Sequence, residues 1–362
     1  MRINGQYFET IWVDRNNKEK IKIIDQQKLP FHFEIKSLST FNDAFSAIKD
    51  MTVRGAPLIG VTAAFGLYLA MLDKINNEKL PDFISSTCEK MKTARPTAVN
   101  LAWAVDWVEN ELRGVQSAEE ARQLAFDAAV KLKAMEVGYS NSIGEHGLQL
   151  IEEIAQQKNG APVNILTHCN AGWLACIDWG TATAPIYKAH QKGINVHVWV
   201  DETRPRNQGS KLTAYELAQE GVPHTVIPDN TGGHLMQHGM VDMVLVGSDR
   251  TTRTGDVCNK IGTYLKALAA RDNNIPFYVA LPSSSIDFKL SDGINEIPIE
   301  QRDADEVRFA LGKEGKTQLV PNGSPVANYG FDVTPARLVS GLITELGICE
   351  ANEKAIKKMF GK

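Results

Sequence analysis

The feature that most constrains this chain is a regular alternation of apolar segments and helical patterns that begins near residue 163. The predicted strands are Val163–Thr167, Asn195–Val200, His224–Ile227, Met243–Val246 and Phe277–Leu281. Helices are predicted at 172–192, 211–220, 232–239 and 259–272. Strands and helices that alternate at these lengths are typical of βαβ units and a parallel sheet. Right-handed crossovers would bring the carboxyl end of every strand to one edge of that sheet.

The first part of the chain differs, because helical patterns dominate it after a short extended start. Apolar segments at 8–12, 21–24 and 31–35 predict a small β meander. Helices are predicted over 40–51, 57–72, 99–112, 117–136 and 142–157, and the fourth opens with a Ser117-x-x-Glu120 capping box. We therefore predict an α/β fold with a smaller, mostly helical domain at 1–135 and a parallel-sheet domain at 136–362.

The charge balance excludes a generally cationic protein. Lys and Arg number 39 against 43 Asp and Glu, so the net charge is −4. This gives no overall attraction to nucleic acid or to an anionic membrane. The longest uncharged stretch, 55–72, contains Pro57 and Gly60 and is interpreted as a buried helix rather than a membrane span. Any anion that the protein binds must therefore meet a local cluster of cations.

The cysteine pattern predicts a reducing environment. The five cysteines are widely spaced without a C-x-x-C pair, so neither a disulfide framework nor a zinc site is expected. The first residues lack the apolar segment of a secretory signal. The chain is therefore predicted to be cytoplasmic, with no membrane and no nucleic-acid partner.

Polar, turn-forming segments follow each predicted strand. They are Thr167–Gly172, Asp201–Gly209, Asp229–Gly233, Gly247–Arg250 and Pro282–Ser285. In open parallel sheets, ligands bind outside the carboxyl ends of the strands. The joint pattern therefore predicts one composite site that contains a thiol, carboxylates, cations and exposed backbone N–H groups.

Several features of this composite site favour a phosphate ligand. Asn170 is expected to cap a helix that follows Cys169, and the positive N-terminus of a helix binds anions. Lys260 is expected in the first turn of another helix. Arg54 and Arg95 are candidates from the first domain, because a guanidinium grips phosphate bidentately. Each residue alone is more often a solvated loop charge, and only their joint placement favours the phosphate site.

Signals for cofactors and metals are missing or incomplete. No G-x-G-x-x-G follows a strand, so a nicotinamide or flavin site is not expected. Gly315-Lys-Thr317 resembles the end of a P-loop, but Ala310 stands where the first glycine should be, and the segment is interpreted as a loop. His234 and His238 are four residues apart without a third ligand. We therefore predict neither a cofactor nor a metal.

Six motifs, in family order and spread over nearly the whole chain, resemble those of methylthioribose-1-phosphate isomerases. They are Arg54-Gly-Ala-Pro-Leu-Ile-Gly60, Arg95-Pro-Thr-Ala-Val-Asn-Leu101, Thr167-His-Cys-Asn-Ala-Gly172, Asp201-Glu-Thr-Arg-Pro205 with Gln208-Gly209, Gly255-Asp-Val-Cys-Asn-Lys-Ile-Gly-Thr-Tyr264 and Phe331-Asp-Val-Thr-Pro335. The resemblance implies a helical N-terminal domain, a Rossmann-like C-terminal domain and a homodimer. The same fold is shared with ribose-1,5-bisphosphate isomerases and with the non-enzymatic regulatory subunits of the translation initiation factor 2B complex.

The resemblance also implies roles for individual residues. The catalytic pair of the family falls on Cys169 and Asp249. The substrate contacts of the family fall on Arg54, Gly55, Ala56, Arg95, Gln208, Asn259 and Lys260. The chain departs from the family pattern at Ser248, at 251–254 and at 328–332. These departures leave the catalytic pair untouched and bear on specificity for the 5-substituent of the sugar.

The implied reaction converts cyclic 5-methylthioribose 1-phosphate into open-chain 5-methylthioribulose 1-phosphate in methionine salvage. Asp249 is expected to protonate the ring oxygen. Cys169 is expected to act either as a base at C2 or as a thiol that shapes the site of a hydride shift, and a helix N-terminus after it would lower its pKa. Two alternatives are a 5-deoxyribose 1-phosphate isomerase and a non-catalytic subunit that senses a sugar phosphate. The joint presence of both catalytic residues favours an enzyme.

Overall fold

The parallel sheet lies at the centre of the second half of the chain. The computed structural model describes residues 1–73, 77–95 and 99–361. Its strands are β1 (Arg2–Ile3), β2 (Gln6–Tyr7), β3 (Ile11–Val13), β4 (Ile21–Ile24), β5 (Ile35–Leu38), β6 (Val163–Thr167), β7 (Val196–Asp201), β8 (His224–Ile227), β9 (Met243–Val246), β10 (Arg250–Thr252), β11 (Val257–Lys260), β12 (Phe277–Ala280), β13 (Ile286–Asp287), β14 (Phe309–Gly312), β15 (Gly315–Gln318), β16 (Phe331–Thr334), β17 (Gly341–Thr344) and β18 (Gly347–Cys349). Its α-helices are α1 (Phe41–Lys49), α2 (Ala56–Ala70), α3 (Leu80–Lys92), α4 (Val99–Glu111), α5 (Ala118–Gln157), α6 (Ala184–Gln191), α7 (Ala214–Gln219), α8 (Thr231–Gln237), α9 (Thr263–Asp272), α10 (Gly293–Glu296), α11 (Asp305–Arg308) and α12 (Glu353–Phe360).

The main sheet has the strand order β18-β17-β12-β9-β6-β7-β8. Neighbouring strands are parallel except for β17 and β18, and the predicted α/β class is confirmed. Counted along the chain, the first six strands of this sheet stand in the order 3-2-1-4-5-6 of the Rossmann fold. The order reverses between β6 and β9, and ligands of such sheets bind at this reversal point.

The first part of the chain contains a meander and helices as predicted, but its third strand, Ile35–Leu38, begins only where the predicted segment 31–35 ends. Strands β3, β4 and β5 pair antiparallel, and Thr40 closes a capping box at the start of α1. Helix α2 is buried along nearly its whole length, within a core that α1, α3, α4 and the first half of α5 complete. The part of the Arg95 motif at 96–98 lies outside the described residues.

Helix α5 is a single helix of 40 residues, so the prediction of two helices at 117–136 and 142–157 is wrong. Gly138 and the serines near it weaken the helical pattern, but packing outweighs this local preference. A Cβ at Gly144 or Gly147 would meet the side chains of Lys188 and Pro185 on α6, so the glycines allow the two helices to pack closely. The division at residue 135 falls inside α5 and stays a prediction.

Two predicted helices near the sheet edge begin later than expected. The segment 172–192 is helical only in a short 3-10 turn, Trp173–Ala175, and in α6, because Gly172 and Gly180 form a bridge that folds the loop back. Helix α9 begins at Thr263 rather than at 259, because β11 occupies 257–260. The prediction of Lys260 in a helical turn is therefore wrong, since Lys260 lies in a second sheet of order β13-β10-β11-β16.

Two segments singled out in the sequence have structural roles. The uncharged stretch at 55–72 contains the core helix α2. Gly315-Lys-Thr317 lies in β15, which pairs antiparallel with β14 in an exposed hairpin, so the interpretation as a loop is wrong. Among the described residues, no helix has the length and apolar character that a membrane crossing requires.

Candidate active site

Cys169 and Asp249 come together at the reversal point of the main sheet. Cys169 follows β6, Asp249 follows β9, and these two strands are neighbours. Both residues line a cavity of about 30 Å³, together with Gly55, Ala56 and Asn259. The thiol, the carboxyl group and the segment 55–56 therefore meet at the edge of the sheet where the sequence predicts a site. This segment belongs to the helical region, which comprises α1 to α4 and the first half of α5.

The backbone holds Cys169 in a strained conformation. Its φ of +66° lies in the left-handed region, which costs a non-glycine residue about 1–3 kcal/mol and is concentrated at functional sites. The Cys169 N–H donates to the hydroxyl of Thr203 at 2.8 Å. The hydroxyl of Thr213 donates to the Cys169 carbonyl at 2.7 Å. These two hydrogen bonds stabilise the strained conformation and fix the thiol at the sheet edge.

The helix N-terminus expected directly after Cys169 is not present, and the expected lowering of the thiol pKa is wrong. Only a 3-10 turn follows, and its N–H groups at 173 and 174 donate to the carboxylate of Glu216. Burial instead raises the pKa of Cys169, while the nearby charges of Arg54 and Lys260 act in the opposite direction. The neutral thiol is therefore the main form at neutral pH.

Asp249 does not form the loop ion pair that the adjacent Arg250 suggests. Arg250 pairs instead with Asp287, with Nη2–Oδ2 at 2.5 Å and Nε–Oδ2 at 3.1 Å. The Asp249 N–H donates to the carbonyl of Cys258 at 3.0 Å, which anchors its backbone to β11. Its carboxyl group is half-buried and interacts electrostatically with the Cys169 thiol. Asp249 is therefore available for proton transfer in the cavity.

The N-terminus of α2 forms the opposite wall of the site. Gly55 and Ala56 line the cavity beside Cys169 and also a second cavity of about 30 Å³. Gly55 has a φ of +97°, and a Cβ there would collide with the backbone of Ala175. Only glycine permits this close approach of the helical region to the sheet edge. The free N–H groups and positive dipole of a helix N-terminus favour an anion here.

Two arginines from the helical region flank this helix start. Arg54 donates from Nη1 to Asn170 Oδ1 at 2.5 Å and from Nη2 to Asn170 O at 2.9 Å. The Arg95 side chain is only 11% exposed and lies 3.7 Å from Glu300. Burial lowers the pKa of Arg95, and the charges of Glu300 and Asp249 partly offset this effect. The structure therefore places both predicted arginines beside the cavities, where an anion would offset their charge.

Lys260 is a third buried cation of the site. Its Nζ donates to Gly330 O at 2.8 Å and lies 4.6 Å from the ring centroid of Phe331. Burial lowers the pKa of Lys260, while Cys169 in its thiolate form and Asp249 act in the opposite direction. A buried ammonium favours an anionic partner, because burial removes its hydration.

The two predicted amide contacts occupy different places. Asn259 lines the cavity beside Cys169 and donates to the hydroxyl of Thr263 at 3.1 Å. Gln208 lies in an adjoining cleft of about 390 Å³ that it lines together with Arg54. Gln208 is buried, and its Oε1 has no hydrogen-bond partner among the described residues. The cleft therefore connects with the site through Arg54.

Residues that were not predicted as site residues close the site from the C-terminal part of the chain. The segment 297–298 and Phe331 line the second cavity. Arg302 pairs with Glu300 at 2.8 Å and with Glu306 at 2.7 Å, and its charge lowers the pKa values of the buried cations. Of these residues only Phe331 has a sequence signal, because it opens the sixth motif.

One group of side chains near Cys169 has the donor set of a metal site. Ligand atoms of His168, Asp201 and Asp229 lie within 4.8 Å of one another. Lys266 Nζ lies 3.1 Å from Asp201 Oδ2, and the Asp229 carboxylate accepts from the backbone N–H groups at 203 and 204. Because Lys266 already supplies positive charge here, the geometry fits an ion-pair network that holds His168 in place.

Comparisons with known proteins agree with the motifs. The model of the initiation factor 2 subunit family matches residues 52–351. A methylthioribose-1-phosphate isomerase from Desulfatibacillum aliphaticivorans is 56% identical over 364 residues, which cover 99% of this chain and 99% of that protein. The crystal structure of 5-methylthioribose 1-phosphate isomerase from Pyrococcus horikoshii has a TM-score of 0.86 at 36% identity, and the match covers 98% and 96% of the two chains. The crystal structure of the translation initiation factor eIF-2B subunit delta from A. fulgidus has a TM-score of 0.81 at 36% identity, with 98% and 100% covered.

Proposed function

We propose that Cys169 and Asp249 perform the isomerase chemistry of this chain, which belongs to the initiation factor 2 subunit family. The protein is an aldose–ketose isomerase that converts 5-methylthioribose 1-phosphate into 5-methylthioribulose 1-phosphate in methionine salvage. Identity to the isomerase from D. aliphaticivorans is 56%, against 36% to the initiation-factor subunit, so a regulatory role is not favoured. The observation that supports the residue assignment is the meeting of a thiol and a carboxyl group with buried cations at the reversal point of the sheet.

The substrate phosphate is proposed to bind between the N-terminus of α2 and the buried cations. Arg54 and Arg95 each line one of the two cavities that Gly55 and Ala56 share, and Lys260 interacts electrostatically with Cys169 and Asp249. Charge-assisted hydrogen bonds from guanidinium and ammonium groups to phosphate oxygens are stronger than neutral ones. Asn259 would contact the sugar from the cavity beside Cys169, and Gln208 would contact it from the adjoining cleft.

Asp249 is proposed to open the sugar ring. The phosphate on C1 prevents the spontaneous ring opening of a free sugar, so an acid must protonate the ring oxygen as the C1–O bond breaks. Asp249 is half-buried and lines both cavities, and the adjacent Arg250 pairs with Asp287 instead. A positioned acid of this kind contributes roughly 10²–10⁴ in rate.

Cys169 is proposed to serve the hydrogen transfer from C2 to C1. In one route the thiolate removes the C2 proton, and the enol intermediate then takes up a proton at C1 while its C2 hydroxyl loses one. In the other, a hydride moves directly to C1, the C2 hydroxyl loses its proton, and Cys169 shapes the site. The raised pKa of Cys169 favours the hydride route, because a neutral thiol is a weak base. Solvent deuterium at C1 of the product would indicate proton transfer, and its absence would indicate the hydride shift.

A comparison of substrates tests the proposed function directly. Purified protein should convert 5-methylthioribose 1-phosphate, with ketose formation followed by phosphorus NMR. A 5-deoxy substrate should be converted with a kcat/KM about tenfold to a hundredfold lower, since an apolar pocket gains roughly 1–3 kcal/mol from a group of this size. No conversion of the methylthio substrate would contradict the function.

Two further properties are proposed from the resemblance and the residues. A homodimer is expected, and light scattering of the purified protein should give twice the chain mass of 39.9 kDa. A cytoplasmic location is proposed because all five cysteines are free thiols, which a reducing compartment preserves. A monomeric mass in solution would contradict the first of these proposals.

A further inference from the structure

We propose that Glu216 is a positioning residue of this isomerase, whose buried carboxylate orients the Asn170 amide so that its oxygen holds the Arg54 guanidinium at the phosphate site. The inference rests on the proposed function, because it assumes that Arg54 binds the substrate phosphate. Glu216 lies on α7, outside the six motifs. It forms the far end of a chain of three side chains that leads into the cavity beside Cys169.

The Glu216 carboxylate accepts four hydrogen bonds. Oε1 accepts from Asn170 Nδ2 at 2.9 Å and from Leu174 N at 2.8 Å. Oε2 accepts from Trp173 N at 3.1 Å and from Tyr187 Oη at 3.0 Å. An ionised carboxylate only accepts hydrogen bonds, so four converging donors match the charged form. Glu216 is fully buried, and no cation among the described residues forms an ion pair with it.

Hydrogen-bond chemistry determines the orientation of the Asn170 amide. Its Nδ2 donates to Glu216 and, at 3.1 Å, to the hydroxyl of Thr213. That hydroxyl donates its own proton to the Cys169 carbonyl, so it can only accept from Asn170. Both partners therefore require the amide nitrogen on their side, and Oδ1 faces Arg54.

Arg54 receives this oxygen together with the main-chain oxygen of the same residue. Its Nη1 donates to Asn170 Oδ1 at 2.5 Å and its Nη2 to Asn170 O at 2.9 Å. A guanidinium carries five N–H donors in a fixed plane, so these two contacts define the direction of the remaining donors. Arg54 also lowers the pKa of Glu216, which burial raises to about 7. The cation and the carboxylate thus stabilise each other through the amide between them.

Gly172 shows that the loop is built around this carboxylate. A Cβ at this position would collide with the Glu216 carboxyl group. The glycine therefore lets the carboxylate approach the backbone of the turn that follows Cys169. Glu216 consequently holds both the turn that follows Cys169 and the Asn170 side chain that contacts Arg54.

The first test replaces Glu216 and compares binding with turnover. Glu216→Gln puts a donor where an acceptor stood, so Asn170 flips or loses a partner and Arg54 loses its fixed orientation. Hydrogen bonds to charged groups contribute about 1.5–3 kcal/mol, so the KM for the substrate and the inhibition constant of inorganic phosphate should each rise about tenfold or more. The kcat should change less than about threefold, because the reacting groups remain.

Two control variants separate this effect from a general loss of packing. Glu136→Gln removes another fully buried carboxylate with a raised pKa, which bonds Ser284 rather than Asn170. Tyr187→Phe removes one donor from Glu216 and leaves Asn170 in place. Both should leave the KM and the phosphate inhibition constant within about twofold of wild type. A tenfold rise in either control would overturn the proposal.

A double-mutant cycle with Arg54→Ala decides whether Glu216 acts through Arg54. The rise in KM caused by Glu216→Gln should disappear, to within about twofold, when Arg54 is already alanine. An equal rise in both backgrounds would show a merely structural role and overturn the inference. If Arg54→Ala by itself leaves KM unchanged, the phosphate assignment of Arg54 fails, and the inference fails with it.

Asn170→Ala repeats the cycle without changing Glu216, in case Glu216→Gln does not fold. It removes the amide between the two charged groups and leaves three donors on Glu216. The same rise in KM and the same insensitivity in the Arg54→Ala background are expected. An unchanged KM in a folded Asn170→Ala protein would overturn the proposal.

Discussion

The helical region and the edge of the main sheet contribute different kinds of group to one site. The helical region supplies Arg54, Arg95 and the N-terminus of α2, which are proposed to bind the phosphate. The sheet edge supplies Cys169 and Asp249, which are proposed to exchange protons with the sugar or to surround the reacting carbons. This difference implies that phosphate affinity and chemistry depend on different side chains, and that single substitutions should change one without the other.

The largest effect is expected from Asp249→Asn. The amide cannot donate a proton to the ring oxygen as an acid does, so kcat should fall by at least about 10². The KM should stay near wild type, because the groups proposed to hold the phosphate remain in place. Steady-state kinetics with phosphorus NMR would measure both constants. Near-normal turnover in a folded Asp249→Asn protein would remove the carboxyl group from the mechanism.

Cys169→Ser tests the other reacting group. A hydroxyl is a weaker base and is more polar than a thiol in this buried position, so kcat should fall by at least about 10² with little change in KM. Circular dichroism and a melting curve would confirm the fold. Cys88→Ser is the matched control, because Cys88 is also buried but lies in the core of the helical region. Equal losses in both variants would show that the effect is one of stability.

Arg95→Ala tests the binding side of the comparison. Removing a buried charge that meets the phosphate should raise KM about tenfold to a hundredfold and weaken inhibition by inorganic phosphate in parallel. The change in kcat should be several times smaller. Arg113→Ala, at an exposed arginine of the same region, should leave both constants unchanged. A fall in kcat alone would contradict the assignment of Arg95 to binding.

The smallest effect is expected from Glu136→Gln and concerns thermal stability. The Glu136 side chain connects the two regions. Its carboxyl group on α5 accepts from Ser284 at 2.9 Å, and Asn100 on α4 donates to the same hydroxyl at 2.9 Å. Burial raises the pKa of Glu136 from 4.5 to about 7. The native state therefore binds a proton more tightly than the unfolded chain, and the stability that this group contributes is lost as the pH rises from 4.5 through 7.

Melting curves of Glu136→Gln and wild type should show this dependence. The neutral amide never ionises, so the variant should gain a few degrees relative to wild type at pH 8 compared with pH 5. A difference between the two melting temperatures that stays constant over this range would contradict the raised pKa.

The strands and the sheet edge could be predicted because local sequence determines them. Buried parallel strands are short, nearly continuous apolar runs, and the bounds predicted for Val163–Thr167 and Met243–Val246 agree with the structure. Polar residues directly after such runs then fall at one edge by topology alone. Cys169 and Asp249 stood out among these polar residues because of the motif resemblance, since strand-end position does not distinguish a reacting thiol from a core residue.

Features that depend on distant contacts could not be predicted. The turn after Cys169 does not continue as a helix because Gly172 pairs with Gly180 and the chain folds back, and its N–H groups bind the carboxylate of Glu216, 47 residues after Cys169. The raised pKa of Cys169 comes from burial that the helical region completes. Likewise, Asn259 and Lys260 lie on a strand because β16, far along the chain, pairs with β11.

Equilibrium binding of 5-methylthioribose 1-phosphate to Asp249→Asn tests the separation of binding from chemistry most directly. Calorimetry should give a Kd within about threefold of the value for Cys169→Ser, while turnover of both variants is at least about 10² below wild type. Arg95→Ala should bind at least about tenfold more weakly than either. A Kd for Asp249→Asn that is weakened as much as that for Arg95→Ala would contradict the account, because binding and chemistry would then depend on the same groups.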